Sequence, residues 1–335
     1  MLLLYRHCFA LLLAIGSSPS FCQDRAPLPD EGYVWTPQLS PQGPTAILVS
    51  LRDQRAYVYR NGVRIGISKV STGKAGYETP SGVFTILEKR REHYSNVYDN
   101  APMPFMQRLT WGGVALHAGN VPERPASHGC VRLPYAFAEK LFEITARGMT
   151  VIVADAPPAP AVAPPGLFAA SDAPPTPPAS AAQLLVWAPE RSVSGPITLV
   201  LSVRDREIVI LRNAIEIGRA PIAMTENALH GTQVYLLLQG SGEGASKLVP
   251  GRPALRWLAV SLDGAPASAP PELGRLIAAG QLRVDPEFAA RVYDALAPGA
   301  TLIVTDESLG PDEPGDNLIL ETEQAPAGNP SVRPP

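Results

Sequence analysis

Reactive side chains in this 335-residue chain are densest in two runs, Leu116-His117-Ala118-Gly119-Asn120 and, seven residues later, Ser127-His128-Gly129-Cys130-Val131-Arg132-Leu133. A cysteine attacks through its thiolate, and because the free thiol has a pKa of about 8.5, a neighbouring imidazole must take or stabilise the charge. His117 and His128 both lie within thirteen positions of Cys130. Gly129 allows a tight turn, whose amides are suited to stabilising an oxyanion. The pattern predicts a catalytic cysteine.

Two other interpretations of Cys130 remain. A lone cysteine among apolar residues usually packs in a core, although the preceding Ser-His-Gly is typical of a polar turn. A zinc site built from His117, His128 and Cys130 would lack a CxxC or HExxH pattern and a carboxylate at metal spacing. We therefore favour nucleophilic catalysis and expect neither a metal nor a cofactor.

Around these runs, alternating apolar and polar residues predict a mainly β domain. Strands are expected at 46–51, 55–59, 63–70, 82–87, 113–116 and 150–153. Asn61-Gly62 separates two of them and predicts a hairpin, since both residues tolerate positive φ. One helix is expected to begin near Pro134 and to end at Gly148. The predicted class is α+β, mainly β with one or two helices.

Three motifs together resemble the L,D-transpeptidase catalytic domain of the YkuD type. They are Ser71-Thr72-Gly73, then Thr79-Pro80-Ser81-Gly82-Val83-Phe84, then His117 with Ser127-His128-Gly129-Cys130-Val131-Arg132. The resemblance covers residues 45–155, and Ser-His-Gly-Cys with an upstream histidine is a specific signature. It implies a β-sandwich-like fold and action on peptidoglycan stem peptides. The cysteine of such enzymes attacks the third residue of a tetrapeptide, usually diaminopimelate, releases D-Ala and passes the acyl group to an amine.

The resemblance also implies roles for individual residues. His117 would be the general base, with its ring oriented by a backbone carbonyl near Ala118. His128 would support the site, and the turn through Ser127 would supply the amides of Gly129 and Cys130 as an oxyanion hole. Arg132 occupies a family position near the nucleophile and is a candidate substrate ligand.

Aromatic residues are further candidates for the peptide cleft, although aromatics in a β domain more often belong to its core. Tyr77 and Trp111 are the preferred ones, beside Tyr98 and Phe105. One departure from the family concerns spacing, because His117 and Cys130 are only thirteen positions apart. A segment this short predicts a more open side for the acyl acceptor.

The second half of the chain repeats the first. Residues 50–66 and 202–218 share 7 identities in 17 positions, and residues 131–155 and 282–306 share 9 in 25 without a gap. These matches predict a tandem duplication, with a second domain at 183–306. Carrying the alignment back puts Gln281 opposite Cys130, and the segment 258–264, opposite His117, contains no histidine. We expect this domain to be a degenerate, inactive copy.

The duplication bears on Arg132 as well. Arg283 occupies the matching position in a domain without nucleophile or base. Part of the role of Arg132 is therefore expected to be structural, such as bracing the turn or the helix.

Three segments outside the two domains have distinctive compositions. Residues 1–22 have the order of a secretory signal peptide, and Cys22 at its end is a less favoured lipidation site. Residues 156–182 hold 9 Pro and 10 Ala and predict a semi-extended linker that forms neither helix nor ladder strand. Residues 307–335 carry six acidic residues against one arginine and predict a disordered tail.

The leading hypothesis is an exported L,D-transpeptidase of the periplasm or cell envelope. A net charge of -3, from 28 Lys+Arg against 31 Asp+Glu, argues against a nucleic-acid partner. The signal segment is too short to be a stable membrane span. Alternatives are an L,D-carboxypeptidase or other hydrolase using the same cysteine, an enzyme attaching a partner protein to the wall, or a wall-binding adaptor.

Overall fold

The structure is a computed structural model that describes residues 27–95, 100–122, 124–155, 160–162, 185–224, 231–246, 249–262, 273 and 281–309. Strands dominate it, with one ten-residue helix in each half, which confirms the mainly β prediction. The proposed signal peptide and most of the linker and tail lie outside the described residues. No helix within the described ranges has the length and apolarity needed to cross a membrane.

The first half contains ten strands and one helix among its described residues. They are β1 (Tyr33–Trp35), β2 (Thr45–Ser50), β3 (Arg55–Arg60), β4 (Val63–Lys69), β5 (Gly82–Thr85), β6 (Glu88–Arg90), β7 (Met106–Arg108), β8 (Ala115–Ala118), β9 (Val131–Leu133), α1 (Tyr135–Ile144) and β10 (Thr150–Ala154). One sheet has the order β1-β4-β3-β2-β10-β5, and a smaller one has the order β6-β7-β8-β9. β1 shows that this domain begins before the expected boundary at residue 45.

The hairpin between β3 and β4 has the predicted turn. Arg60 pairs with Val63, and between them Asn61 and Gly62 take φ values of +49° and +83°. Both residues lie in the left-handed region that a two-residue hairpin loop requires. The prediction from Asn-Gly is confirmed.

The second half has a corresponding order of elements. They are β11 (Ala161–Val162), β12 (Val186–Trp187), β13 (Ile197–Ser202), β14 (Glu207–Arg212), β15 (Ile215–Met224), β16 (Gln233–Ala245), β17 (Pro253–Ser261), β18 (Leu282–Val284), α2 (Pro286–Ala295) and β19 (Thr301–Thr305). Its sheet contains the run β12-β15-β14-β13-β19-β16, which parallels β1-β4-β3-β2-β10-β5 of the first half. α2 precedes β19 as α1 precedes β10.

The central strands are buried on both faces. Because successive side chains of a strand point to opposite faces of the sheet, each strand contributes to two apolar layers. In β2, Ile47 and Val49 pack in the core that contains α1, whereas Ala46 and Leu48 face the second sheet. In β13, Val200 joins that same shared layer. The molecule is therefore layered as helix, sheet, sheet and helix, with an apolar layer between the two sheets.

Contacts across this layer are reciprocal. The hydroxyls of Thr150 and Thr301, which occupy matching positions, hydrogen bond to each other at 2.7 Å and are both buried. Gly148 lies against Pro196, and Gly299 lies against Pro44. Such pairing of matching residues is the pattern of a two-fold interface.

Some residues assigned to the linker and to the tail are part of the folded structure. Ala161 and Val162 form β11 and pair with Ala259 and Leu258 of β17, so part of the linker is a ladder strand after all. This is possible because neither residue is a proline and each keeps its amide donor. The tail also begins later than residue 307, since the Leu309 amide donates to Asp205 Oδ2 at 2.6 Å.

Candidate active site

The small sheet of the first domain presents a polar face, because side chains alternate along each strand. Leu116 and Ala118 of β8 point into the core, as do Val131 and Leu133 of β9. His117 therefore points to the opposite face, next to its partner Arg132 in the parallel β8–β9 ladder. Cys130 immediately precedes β9 and opens onto the same side.

The residues before Cys130 form a turn that is held from within. The Ser127 hydroxyl donates to the Cys130 carbonyl at 2.5 Å and accepts from the Gly129 amide at 3.1 Å. Gly129 has a φ of +107°, which a residue with a Cβ rarely adopts. The Gly129 amide expected in the oxyanion hole is thus engaged by Ser127 in this structure.

Two of the upstream motifs brace this turn from outside. The buried Thr79 hydroxyl donates to the Gly129 carbonyl at 2.8 Å and accepts from the Gly73 amide at 2.8 Å. Ser71 and Arg132 exchange two backbone hydrogen bonds of 3.0 Å. Ser71-Thr72-Gly73 and Thr79 therefore fix the backbone next to Cys130 through hydrogen bonds.

His117 is held in one tautomer. Its Nδ1 lies 2.8 Å from the Ala118 carbonyl, which can only accept, so Nδ1 carries the proton. Burial lowers the pKa of His117 to about 4, against a smaller opposing effect of the Ala118 hydrogen bond; the charges of Arg132 and His93 lower it further. The imidazole is neutral at pH 7, with Nε2 unprotonated and able to act as a base.

Cys130 is a thiol in the resting protein. Burial raises its pKa above the ordinary value, although a backbone hydrogen bond to Ala115 and the charges of Arg132 and Arg108 oppose the shift. The thiol donates to the Gly113 carbonyl at 3.4 Å. Both shifts favour the neutral thiol and the neutral imidazole over a thiolate–imidazolium pair.

A cavity of about 560 Å³ brings most of the predicted residues together. Its lining includes Cys130, His117, His128, Ser127 and Arg132. This volume falls within the range of small-molecule and peptide sites. Gly129 contributes to the turn beneath it.

The predicted aromatic ligands lie elsewhere. Tyr77 is 46% exposed and packs its ring edge-to-face against His128 at 4.7 Å, outside the cavity lining. Trp111 lies under the Arg108 guanidinium at 5.8 Å and is not part of the lining either. Phe105 is buried in the core, and Tyr98 lies outside the described residues. Of the aromatics named from sequence, none of those described lines the cavity.

The structure adds lining residues that the motifs did not reveal. His93 and Arg108 lie on the cavity wall, together with Met103 and Met106. They come from β7 and the segment before it, so only folding brings them next to Cys130. Within the described residues, no cluster of three or more His, Cys, Asp or Glu could hold a metal ion.

Comparison with known proteins shows which family this domain is similar to. Residues 44–153 match the family model YkuD, the L,D-transpeptidase catalytic domain. No curated protein matches the chain significantly. The family match supports an L,D-transpeptidase enzyme.

Solved structures of L,D-transpeptidases resemble a third of this chain. One from Stackebrandtia nassauensis is 34% identical, with a TM-score of 0.31, over 33% of this chain and 55% of that one. One from Mycobacterium smegmatis is 23% identical, with a TM-score of 0.32, over 33% and 58%. One from Mycobacterium tuberculosis is 24% identical, with a TM-score of 0.32, over 33% and 57%. The matched part spans little more than half of these relatives.

Proposed function

We propose that the chain is an L,D-transpeptidase of peptidoglycan. Cys130 Sγ attacks the L-centre carbonyl of diaminopimelate, the third residue of a tetrapeptide donor. The amide bond to the terminal D-Ala breaks and a thioester forms. An acceptor amine then takes the acyl group and releases the thiol. The observation that carries the proposal is that Cys130 and His117 share one cavity on a domain matching the L,D-transpeptidase model.

The protonation states of His117 and Cys130 before the reaction indicate when the thiol proton is transferred. His117 is neutral and Cys130 is a thiol, so Nε2 takes the thiol proton as the sulfur attacks, not beforehand. The imidazolium then gives this proton to the departing D-Ala amine. The oxyanion replaces the Ser127 hydroxyl as the acceptor of the Gly129 amide, which is the arrangement the turn needs to stabilise it.

Purified tetrapeptide muropeptides provide the direct test. The wild-type protein should form 3→3 cross-linked dimers that mass spectrometry detects, and Cys130→Ala should form none. Tyr77→Phe is a matched control, because Tyr77 contacts His128 from outside the cavity. Dimers made by Cys130→Ala would overturn the proposal.

The same assay separates the alternatives. Tripeptide released without dimers would indicate hydrolysis of the thioester, the activity of an L,D-carboxypeptidase. A carbapenem-type acylating probe that leaves Cys130 unmodified, while the protein still binds sacculi, would indicate a wall-binding adaptor. Adding a protein amine as acceptor tests attachment of a partner to the wall.

We also propose that residues 183–306 are a degenerate copy that covers the six-stranded sheet of the first domain, on the face away from α1. Three observations support this: the parallel strand orders, the reciprocal contacts of Gly148 and Gly299, and the pairing of Arg283 with Ala223. Ala223 and Arg283 correspond to Ser71 and Arg132, which form a bridge in the first domain. The matches of Ser127, His128 and Gly129 fall at 278–280, outside the described residues.

Cutting the linker in the intact chain tests this role. A protease site placed at residues 166–180 should leave the two halves associated after cleavage, because the apolar layer between the sheets holds them. The halves should co-elute on gel filtration and keep the activity of the uncut protein. Leu48→Glu in the same cleavable chain should make them separate, since Leu48 is fully buried in that layer. Separation of the unmutated halves, with activity intact, would contradict the role.

Export is part of the proposal and follows from residues 1–22. Fractionation of cells expressing the full chain should recover it in the periplasm or envelope, processed near residue 22. Labelling with a lipid precursor distinguishes cleavage by an ordinary signal peptidase from lipidation of Cys22.

A further inference from the structure

Two arginines line the cavity beside the nucleophile. Arg108 lies on β7 opposite Ala115, and Arg132 lies on β9 opposite His117. Because Ala115 and His117 are two residues apart on β8, both arginines belong to the same face of the small sheet. Both lower the pKa of Cys130, so their charges act at the reacting sulfur.

These charges are only partly neutralised. Arg108 Nε donates to Glu88 Oε2 at 3.0 Å, but Glu88 also pairs with Arg90 at 2.6 Å. Arg132 forms no ion pair with any described residue, and its aliphatic stem packs at Gly119, where a Cβ would lie 3.3 Å from Cγ and Cδ. Arg90 and Arg108 thus share one carboxylate and Arg132 pairs with none, which leaves a net positive charge among the described residues.

The rest of the wall does not supply the missing negative charge. Among the described lining residues there is no aspartate or glutamate. His93 is also on the wall, and burial together with the charge of Arg108 lowers its pKa, so that it is a neutral hydrogen-bonding group at pH 7. An anion in the cavity would therefore meet guanidinium groups without a competing carboxylate on the wall, which suits the bidentate geometry of Arg with carboxylates.

We propose that Arg108 and Arg132 form a subsite for a free carboxylate of the donor peptide. The inference rests on the proposed function and makes it more specific, because it restricts donors to those with an unmodified carboxylate near the scissile bond. The two residues on either side of the scissile bond each carry one such group, the α-carboxylate of the leaving D-Ala and the carboxylate on the diaminopimelate side chain. Arg108, which no motif indicated, is then a specificity-determining residue.

Amidated donors test the subsite on the unmutated protein. Three tetrapeptides are compared: one with both carboxylates free, one amidated on the diaminopimelate side chain and one ending in D-alaninamide. We expect kcat/KM to fall about 10- to 100-fold for the donor whose amide replaces the bound carboxylate, as expected for loss of a charge-assisted hydrogen bond. The amide that causes the fall identifies which carboxylate is bound.

Variants then assign the effect to Arg108. Arg108→Gln should lower kcat/KM about 10-fold or more on the free donor and less than about 3-fold on the sensitive amidated one, whereas Arg108→Lys should retain part of the activity. Arg90→Gln is the matched control, because Arg90 also pairs with Glu88 but does not line the cavity. Calorimetric binding of the same donors to Cys130→Ala gives a readout without turnover.

The outcomes separate this inference from the proposed function. Failure of wild-type protein to convert any donor would reject the proposed function. Conversion of free and amidated donors at equal rates, or an equal loss on all donors in Arg108→Gln, would reject the carboxylate subsite while leaving the enzyme assignment intact.

Discussion

β9 and β18 each precede the helix of their half of the chain, and their surroundings differ at the residues proposed for the reaction. In the first domain Arg132 bridges to Ser71, and in the second Arg283 pairs with Ala223. The residue immediately before the strand differs between the two: Cys130 precedes β9, and Gln281 precedes β18. β9 also pairs with β8, which carries His117, whereas the recorded partner of β18 is β15. The backbone pairing of this strand is thus common to both halves, whereas the cysteine and histidine proposed to carry the reaction belong to the first half.

The largest effect is expected from moving the nucleophile between domains. Cys130→Ala combined with Gln281→Cys should remain at least about 10³-fold below wild type in cross-linking, because the segment 258–264, which aligns with the His117 segment, contains no histidine to act as a base. Gln281→Cys alone should keep wild-type activity. Product formed by the double variant would show that the second domain retains a working site.

Alanine substitutions at Gly148 and Gly299, which make reciprocal contacts at the interface, should lower the unfolding free energy by different amounts. A Cβ on Gly148 would lie 2.3 Å from Pro196 Cγ, whereas one on Gly299 would lie 3.7 Å from Pro44 Cβ. Both have positive φ, so each alanine is strained, but only Gly148→Ala also clashes. We expect a loss of about 3 kcal/mol in unfolding free energy for Gly148→Ala and about 1 kcal/mol for Gly299→Ala. Urea denaturation measures both, and equal losses would argue against the asymmetry of the two contacts.

Acid should destabilise the catalytic domain through His117. Its folded pKa of about 4 lies below the unfolded value of about 6.5, so the unfolded chain binds a proton first as pH falls. The stabilisation is complete above pH 6.5 and is lost as pH falls towards 4, by about 2–3 kcal/mol. His117→Gln should remove this part of the pH dependence. Urea unfolding at pH 7 and pH 4.5 gives the comparison, and identical pH dependence in the two proteins would contradict the assigned pKa.

The smallest effect concerns the two hairpin turns. Asn61-Gly62 is matched by Asn213-Ala214, and Ala214 is held at a φ of +58°. Ala214→Gly should stabilise the protein by about 0.5–1 kcal/mol, because glycine adopts this conformation without steric cost. Gly62→Ala should destabilise it, since a Cβ there would also lie 3.1 Å from Leu238 Cδ1. Thermal denaturation detects both, and destabilisation by Ala214→Gly would show that the turn is not strained.

Many of the strands and turns of the first half could be predicted from the sequence, because the residue patterns that indicate them are local. Apolar runs and alternation located β2, β3, β4, β5 and β10, and Asn61-Gly62 located the turn between two of them. The helix begins at Tyr135, beside the expected start at Pro134, but ends at Ile144, before the glycine expected to terminate it. Thr145 already leaves the helix in an extended conformation.

What the sequence did not reveal depends on distant parts of the chain. β6 consists of Glu88, Lys89 and Arg90, which show no alternation of apolar and polar residues. These residues form a strand because they pair with β7, a contact that the local sequence does not indicate. Arg108 joins the site only because β7 pairs with β8, which places Arg108 opposite Ala115. The apolar layer between domains was equally hidden, since a strand such as β2 that is buried on both faces reads only as a continuous apolar run.

The two-residue strand β11 has a consequence for solubility. It covers part of the outer side of β17, so that the segment before the second domain shields an edge of that domain's own sheet. An uncovered edge presents unpaired amides and carbonyls on which another chain can add a strand and start an aggregate. The segment that contains β11 therefore does more than set a distance, and Pro160 immediately before this strand has no amide donor with which to extend the ladder at its start.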